Sequence, residues 1–498
     1  METPVPLKDL TFAHRDEFDR KSIAEKVIKL LDAEMDFCPM AIDGGWGTGK
    51  TEFCHKLINL IKEQDARRQK AAREAAADAA RAAENAEASA DAVAQADTAA
   101  QPATDGEQTT AQAAALPPER AVIYLDAFAS ETVDDPLLCI LAAIRAEFPD
   151  KETRKNISRK AVPVVKTLGK VAGKALFAHV FKQDLEDVSE AVADAASDGV
   201  NSLIDQTVDK LLDQYADAQE NLDALKNVIA TAAAQRPILF FIDELDRCRP
   251  DFALSILELV KHVFDIPGIK FIFVANLEQL KAAIRKRYGQ DVDADVYLEK
   301  FINLSILLPS VCCDTGLNAA YVLFKNNFQS IGIFDSYFSI YAKIVIHFIN
   351  KYEINLRGVD KFIRNMEIYC SVYGNSPLYN GNLITIYHLA FILAIFIFTF
   401  NKDVARKFVL DDIDDSIYAF MGDSSDENLN NMLIFIADMV FYGRDFDPSK
   451  GRIAMEKHKE TVGLLNVMFD GRFYKHYFDV RKLIADHIRK MNFIPVNR

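Results

Sequence analysis

Paired cysteines, a surplus of basic residues, an apolar leader and a clear membrane span are all missing from this chain, and each absence removes a class of protein. The seven cysteines (Cys38, Cys54, Cys139, Cys248, Cys312, Cys313 and Cys370) are scattered, with no C-x-x-C spacing. Neither a disulfide framework nor a zinc site is expected, and a reducing cytoplasm is the natural compartment. Lys and Arg number 58 against 73 Asp and Glu, a formal charge of -15, which argues against a generally basic, nucleic-acid-coating surface and leaves room for a local patch. Met1 to Lys21 is charged throughout, so no signal peptide is expected. The longest apolar run, Leu383 to Phe400, is at the lower edge of spanning length and is broken by Thr385, Tyr387, His388 and Thr399. A buried central helix is the favoured reading and a membrane span the alternative. From Gln64 to Gln112 large apolar side chains are absent except for Val93. Such an Ala-rich stretch cannot hold itself in a core; its first half is expected to extend a preceding helix into solvent, and Thr98 to Pro118 to be a flexible linker.

What is present begins with Asp43-Gly44-Gly45-Trp46-Gly47-Thr48-Gly49-Lys50-Thr51, which contains the full G-x-x-x-x-G-K-[ST] signature. Phe37 to Ile42 before it reads as a short buried strand and Glu52 to Ile61 after it as a helix, the setting in which that string is a phosphate-binding P-loop. Gly44, Gly45, Gly47 and Gly49 let the backbone N–H groups of the loop, Trp46 and Thr48 among them, turn inward around an anion. Lys50 would reach the β- and γ-phosphates of ATP, and Thr51 would hold Mg²⁺.

Further apolar strands follow at Ala121–Asp126, Arg236–Glu244 (closing on its two acids), Ile269–Asn276 (ended by its polar residue) and Ile302–Leu308, alternating with helical patterns. That alternation predicts a parallel sheet with helices on both faces. With 498 residues, two or more domains are expected. The core is expected to run through residues 1–63, 119–150 and 236–310, interrupted by the Ala-rich linker 64–118 and a helical insertion 151–235, and residues 311–498 to form a C-terminal all-α domain. Within the insertion, Lys166, Lys170 and Lys174 form a basic stripe opposite Val164, Val165, Leu168, Val171 and Leu176. A solvated helix face is favoured over membrane-surface or nucleic-acid contact. Heptad-like spacing from Val188 to Leu212 suggests a helical arm.

The strand ending in Asp243-Glu244 supplies a second anchor. Asp243 would hold Mg²⁺ through water, and Glu244 would orient and deprotonate the attacking water. Asn276 ends the strand expected between the P-loop strand and the Asp243 strand, where it could touch the γ-phosphate; an N-cap role is compatible. Arg247, Arg249, Arg285 and Arg287 are candidate fingers on a neighbouring phosphate, with surface ion pairs the plainer reading. Arg357, after a strand-like Tyr352 to Leu356, could swing onto the phosphates and report nucleotide state to the helical domain.

These residues resemble the KAP P-loop NTPases. The resemblance rests on Gly44-x-Trp46-Gly47-x-Gly49-Lys50-Thr51, Tyr124-Leu-Asp-Ala-Phe128, Ile242-Asp-Glu-Leu-Asp-Arg-Cys-Arg-Pro250, Val274-Ala-Asn276, Tyr297-Leu-Glu-Lys300 and Asn355-Leu-Arg357. It implies an additional-strand, catalytic-glutamate (ASCE) α/β sheet of order 5-1-4-3-2 that binds ATP. Many members carry transmembrane helices between the two anchors, whereas Lys151 to Ala234 is too charged to span. Bacterial relatives include a phage-exclusion protein, so a Mg²⁺-ATPase in a bacterial anti-phage defence assembly is expected, with protein partners or a homo-oligomer formed through the insertion and C-terminal domain. A nucleotide-gated scaffold of low turnover and a DNA-dependent motor are the alternatives.

Overall fold

Alternation of buried side chains along the strands explains why this sheet is covered on both faces. In β3 (Ile238–Asp243) every residue is buried; Leu239 and Phe241 point into one core, and Ile238, Phe240 and Ile242 into another. A strand with no polar face can only lie between two helical layers. The computed structural model describes residues 5–16, 18–33, 37–94, 119–168, 208–309, 318–330, 338–373, 385–446, 451–452 and 479–493. The chain divides into two compact units: Met1–Asp16, Lys21–Gly45 and Lys50–Leu308 form the first, and Glu17–Arg20, Trp46–Gly49 and Pro309–Arg498 the second.

In the first unit β1 (Met40–Asp43), β2 (Ala121–Asp126), β3, β4 (Ile269–Ala275) and β5 (Leu304–Leu307) form one parallel sheet in the order β2-β3-β4-β1-β5. Read from β5, this is the expected 5-1-4-3-2. One face is covered by α1 (Lys21–Asp32) and by the first turns of α2 (Lys50–Ala94), through Val27, Ile28, Phe53, Leu57 and Ile61. The other is covered by α3 (Pro136–Glu147), α4 (Lys151–Leu168), α5 (Val208–Gln235), α6 (Pro250–His262) and α7 (Leu277–Tyr288). At the sheet edge β5 alternates half-buried and exposed residues, and Leu307 is 69% exposed.

The Ala-rich sequence does continue the P-loop helix, as far as Ala94. It is not without anchors, however. Asp65 accepts from Arg120 Nε at 2.8 Å, Arg120 also donates to Asp32 at 2.6 Å, and Arg68 pairs with Asp32. Ion pairs hold the segment where apolar contacts cannot. In the insertion, Ile157, Ala161, Val164 and Val165 of α4 and Leu225, Ile229 and Ala233 of α5 are buried in the core. The linker Thr98 to Pro118, Lys170 and Lys174, and the heptad positions Val188 to Ile204 lie outside the described residues.

The second unit is helical: α8 (Ala319–Ser330), α9 (Phe338–Lys351), α10 (Leu356–Tyr373), α11 (Thr385–Phe400), α12 (Lys402–Leu410), α13 (Glu427–Tyr442) and α14 (Val480–Met491) surround one core. Every residue from Leu389 to Ile397 of α11 is buried there. Thr399 satisfies its hydroxyl on Ile395 O at 2.6 Å and accepts from Asn365 at 2.9 Å, which is how a polar residue sits in an otherwise apolar run. No helix among the described residues is long and apolar enough to cross a membrane. Tyr352 to Leu356 is not a strand. Helix α9 ends at Lys351, Ile354 N–H closes back on Ile349 O, and Leu356 already begins α10. The alternating pattern there comes from a turn and a helix start.

Candidate functional site

The carboxyl ends of β1, β3 and β4 place the sequence-predicted residues side by side, with Asp243 in register with Val274 and Asp43 with Ala275. Between β1 and α2 the loop turns at Gly47 (φ +76°) and Gly49 (φ +82°), a left-handed backbone that side chains disfavour. Lys50 opens α2, and its ammonium, largely buried, donates to Gly44 O at 2.7 Å and Gly45 O at 3.1 Å. Burial pulls its pKa down, and Asp246, Asp243 and Asp43 oppose that pull. Gly44, Gly45 and Thr51 thus flank a buried cation. Trp46 is half exposed, and Thr48 takes a hydrogen bond on its carbonyl.

Asp243 is 1% exposed and accepts from Glu244 N–H at 2.7 Å and from the Tyr124 hydroxyl at 3.1 Å, with the Thr51 side chain near it. Burial nevertheless lifts its pKa above the ordinary aspartate value. Tyr124 is itself pushed up by burial and by Asp243, and its ring lies 4.4 Å from that of His55. A buried carboxyl with a threonine hydroxyl near it fits Mg²⁺, a hard cation that takes the ionised carboxylate and is bound through one or two protein oxygens with its remaining positions on water and phosphate. Among the described residues no group of three or more His, Cys, Asp or Glu is arranged to hold a metal, and Thr51 and Asp243 remain the candidate donors.

Glu244 takes a left-handed backbone, with φ +59° and ψ +23°, which a non-glycine residue adopts at a cost. It follows a buried strand and precedes the turn Leu245–Arg247, and its side chain is 15% exposed. Arg247 grips both of its oxygens, at 2.9 Å and 2.8 Å. Burial raises the Glu244 pKa, Arg247 lowers it, and Asp126, Asp243 and Asp246 raise it further.

Asn276 ends β4 and caps α7, its side-chain oxygen accepting Glu278 N–H at 3.1 Å. Its amide nitrogen has no protein partner among the described residues. Asp43 accepts Leu277 N–H at 3.0 Å, so the end of β1 is joined to the start of α7. The finger candidates separate. Arg249 pairs with Glu131 and Asp134, Arg287 with Asp251, and Arg247 with Glu244 itself, while Arg285 has no side-chain partner among the described residues. Arg357 is exposed in the first turn of α10.

The KAP family P-loop domain matches residues 20–373. The chain belongs to the KAP family. Membership in this P-loop NTPase family implies binding and hydrolysis of a nucleotide, and the KAP chain has the five-stranded parallel sheet of such a domain with helices beyond it. Among curated proteins no sequence matches it. Sequence reasoning overlooked Tyr124 as the partner of Asp243, although Tyr124 stands two residues before the end of a strand in register with β3. It also overlooked Arg247 as the partner of Glu244, for which an Arg three residues after an acid was the available signal.

Proposed function

We propose that this KAP chain is a Mg²⁺-dependent ATPase, and the observation that carries the reading is the Lys50 ammonium buried against Gly44 O and Gly45 O at the start of α2, with the buried carboxyl of Asp243 near Thr51. Gly44, Gly45, Trp46, Gly47, Thr48 and Gly49 would cradle the phosphates with backbone N–H groups, and Lys50 would leave its two carbonyls for the β/γ oxygens. Thr51 and Asp243 would hold Mg²⁺, which would neutralise charge on the β- and γ-phosphates. Asn276 would aim its amide at the γ-phosphate or at the water. Glu244 would take the proton as the water oxygen bonds to the γ-phosphorus and the bond to the β-bridging oxygen breaks, releasing ADP and phosphate. Arg357 would reach the phosphates from the start of α10 once nucleotide is bound.

Lys50→Ala should abolish tight ATP binding, while Glu244→Gln should keep binding and slow hydrolysis about 10²- to 10⁴-fold. Hydrolysis by Glu244→Gln at the parental rate would show that the base is another group. A second reading, a nucleotide-gated scaffold of low turnover, is favoured by the Arg247 grip on both Glu244 oxygens, which keeps the base from water until the pair opens. Partner-stimulated phosphate release separates the two. In either case the proposed setting is a cytoplasmic bacterial defence assembly. The proposed division is a core of residues 1–63, 119–150 and 236–310, a linker 64–118, an insertion 151–235 and an output domain 311–498. Plaque counts with the parent and Glu244→Gln test the setting.

A further inference from the structure

Three consecutive carbonyls of the phosphate loop are each held by a donor from elsewhere in the second unit. The Asn355 amide donates to Trp46 O at 2.7 Å, Leu356 N–H to Gly47 O at 3.0 Å, and the Arg20 guanidinium to Thr48 O at 2.8 Å. A trans peptide is a rigid plane in which a carbonyl and the following N–H point in opposite directions. Fixing the oxygens of Trp46, Gly47 and Thr48 therefore fixes the N–H groups of Gly47, Thr48 and Gly49 on the other side of the loop. Those are the donors a phosphate oxygen needs. We propose that Asn355 and Arg20 are positioning residues for the phosphate cradle, setting its affinity without touching the nucleotide. The inference rests on the P-loop reading above.

The fit behind the loop is close. A Cβ on Gly47 would lie 2.6 Å from Asn355 Cγ, and one on Gly49 would lie 3.2 Å from both Arg20 Nη1 and Leu356 Cδ1. Arg20 is 3% exposed, stacks 5.0 Å from the Phe18 ring centre, and sends its other Nη to Pro309 O at 2.8 Å. A planar fork suits that task, since it bonds two carbonyls in a fixed geometry where a lysine ammonium is a single point. Asn355 has two roles at once: its oxygen accepts Gly358 N–H at 3.0 Å and caps α10, while its nitrogen holds the loop. The helix start and the loop thus share one side chain.

That division makes Asn355→Asp the informative variant. Aspartate is as good a helix cap as asparagine, but it has no donor for Trp46 O and sets a carboxylate against that carbonyl. In the full chain, Asn355→Asp is expected to weaken ATP binding roughly tenfold, leave adenosine binding within about twofold, and speed amide exchange across Gly47 to Gly49 in nucleotide-free protein. Arg20→Lys is expected to fall between the parent and Arg20→Gln in both readouts. Parental ATP affinity and parental loop exchange in Asn355→Asp would overturn the inference. So would equal losses for ATP and adenosine together with a lowered melting temperature, which would mark a structural role alone. If the parent itself fails to bind ATP, the ATPase reading fails, and the nucleotide-free exchange still decides whether these residues set the loop.

Discussion

At the carboxyl ends of the strands Asp243 is buried among hydroxyl and amide donors and its pKa is raised, whereas at the amino end of β2 Arg120 is clasped between Asp32 and Asp65. For Asp32, burial pushes the pKa up, but Arg68 and Arg120 outweigh it and the net shift is downward. One end of the sheet keeps an acid short of countercharge; the other neutralises its acids within the fold. A site that will receive a cation must leave charge unbalanced until the cation arrives, and the stability this forgoes has to come from elsewhere.

The largest effect should come from the balanced end. Arg120→Ala strands Asp65 and Asp32 and is expected to cost about 2 kcal/mol, between the values for exposed and buried pairs, with ATP affinity unchanged. Shortening residues 70–112 to a brief Gly/Ser linker should leave the melting temperature unaltered, while a deletion beginning at Gln64 should lower it as Arg120→Ala does, because it takes away Asp65 and Arg68. Equal melting temperatures for the two deletions would show the ion cluster to be idle.

Substitutions of the two acids should have opposite signs. Asp243 has a raised folded-state pKa, so the stability linked to its protonation is present at low pH and lost as pH rises through that pKa. Asp243→Asn should therefore raise the melting temperature of nucleotide-free protein at neutral pH, by about 1 kcal/mol in stability, and this gain should shrink on acidification. Asp32 has a lowered pKa, so its contribution is present above the unfolded value and lost as pH falls. Asp32→Asn should destabilise at neutral pH and have less effect in acid. Thermal melts of both variants from about pH 2 to about pH 8, which brackets the ordinary carboxylate values, decide it; shifts of the same sign at neutral pH would break the contrast.

The smallest effect is a displacement of a pH profile. Arg247 lowers the Glu244 pKa, so its removal should raise it. The acidic limb of kcat in Arg247→Ala should accordingly lie at higher pH than in the parent. A limb that does not move would mean that the titrating base is not Glu244.

The strand order came from the family resemblance, while the strands themselves were legible because four of the five are apolar runs closed by a polar residue: Asp43, Asp126, Asp243 and, after β4, Asn276. Only buried parallel strands repeat that pattern with helices between them. Boundaries were less legible. Tyr352 to Leu356 alternates like a strand, yet Asn355 before a helical run is also an N-cap, and the local pattern alone does not choose. Arg20 and Tyr124 carried no local signature of their tasks, because each acts on atoms far along the chain: Arg20 on Thr48 and Pro309, Tyr124 on Asp243. The Ala-rich segment was read by its missing apolar bulk, and its charged anchors, Asp65 and Arg68, escaped for the same reason.

The bond from Leu277 N–H to Asp43 makes the spacing between two loops a fixed gauge. Asp43 immediately precedes Gly44 and Leu277 immediately follows Asn276, so Gly44 and Asn276 cannot drift apart without breaking it. The spacing between the carboxyl ends of β1 and β4 is then set within the fold of the first unit. Movement at this end has to be carried by parts not tied to that gauge, and the left-handed Glu244 with its arginine is one of them.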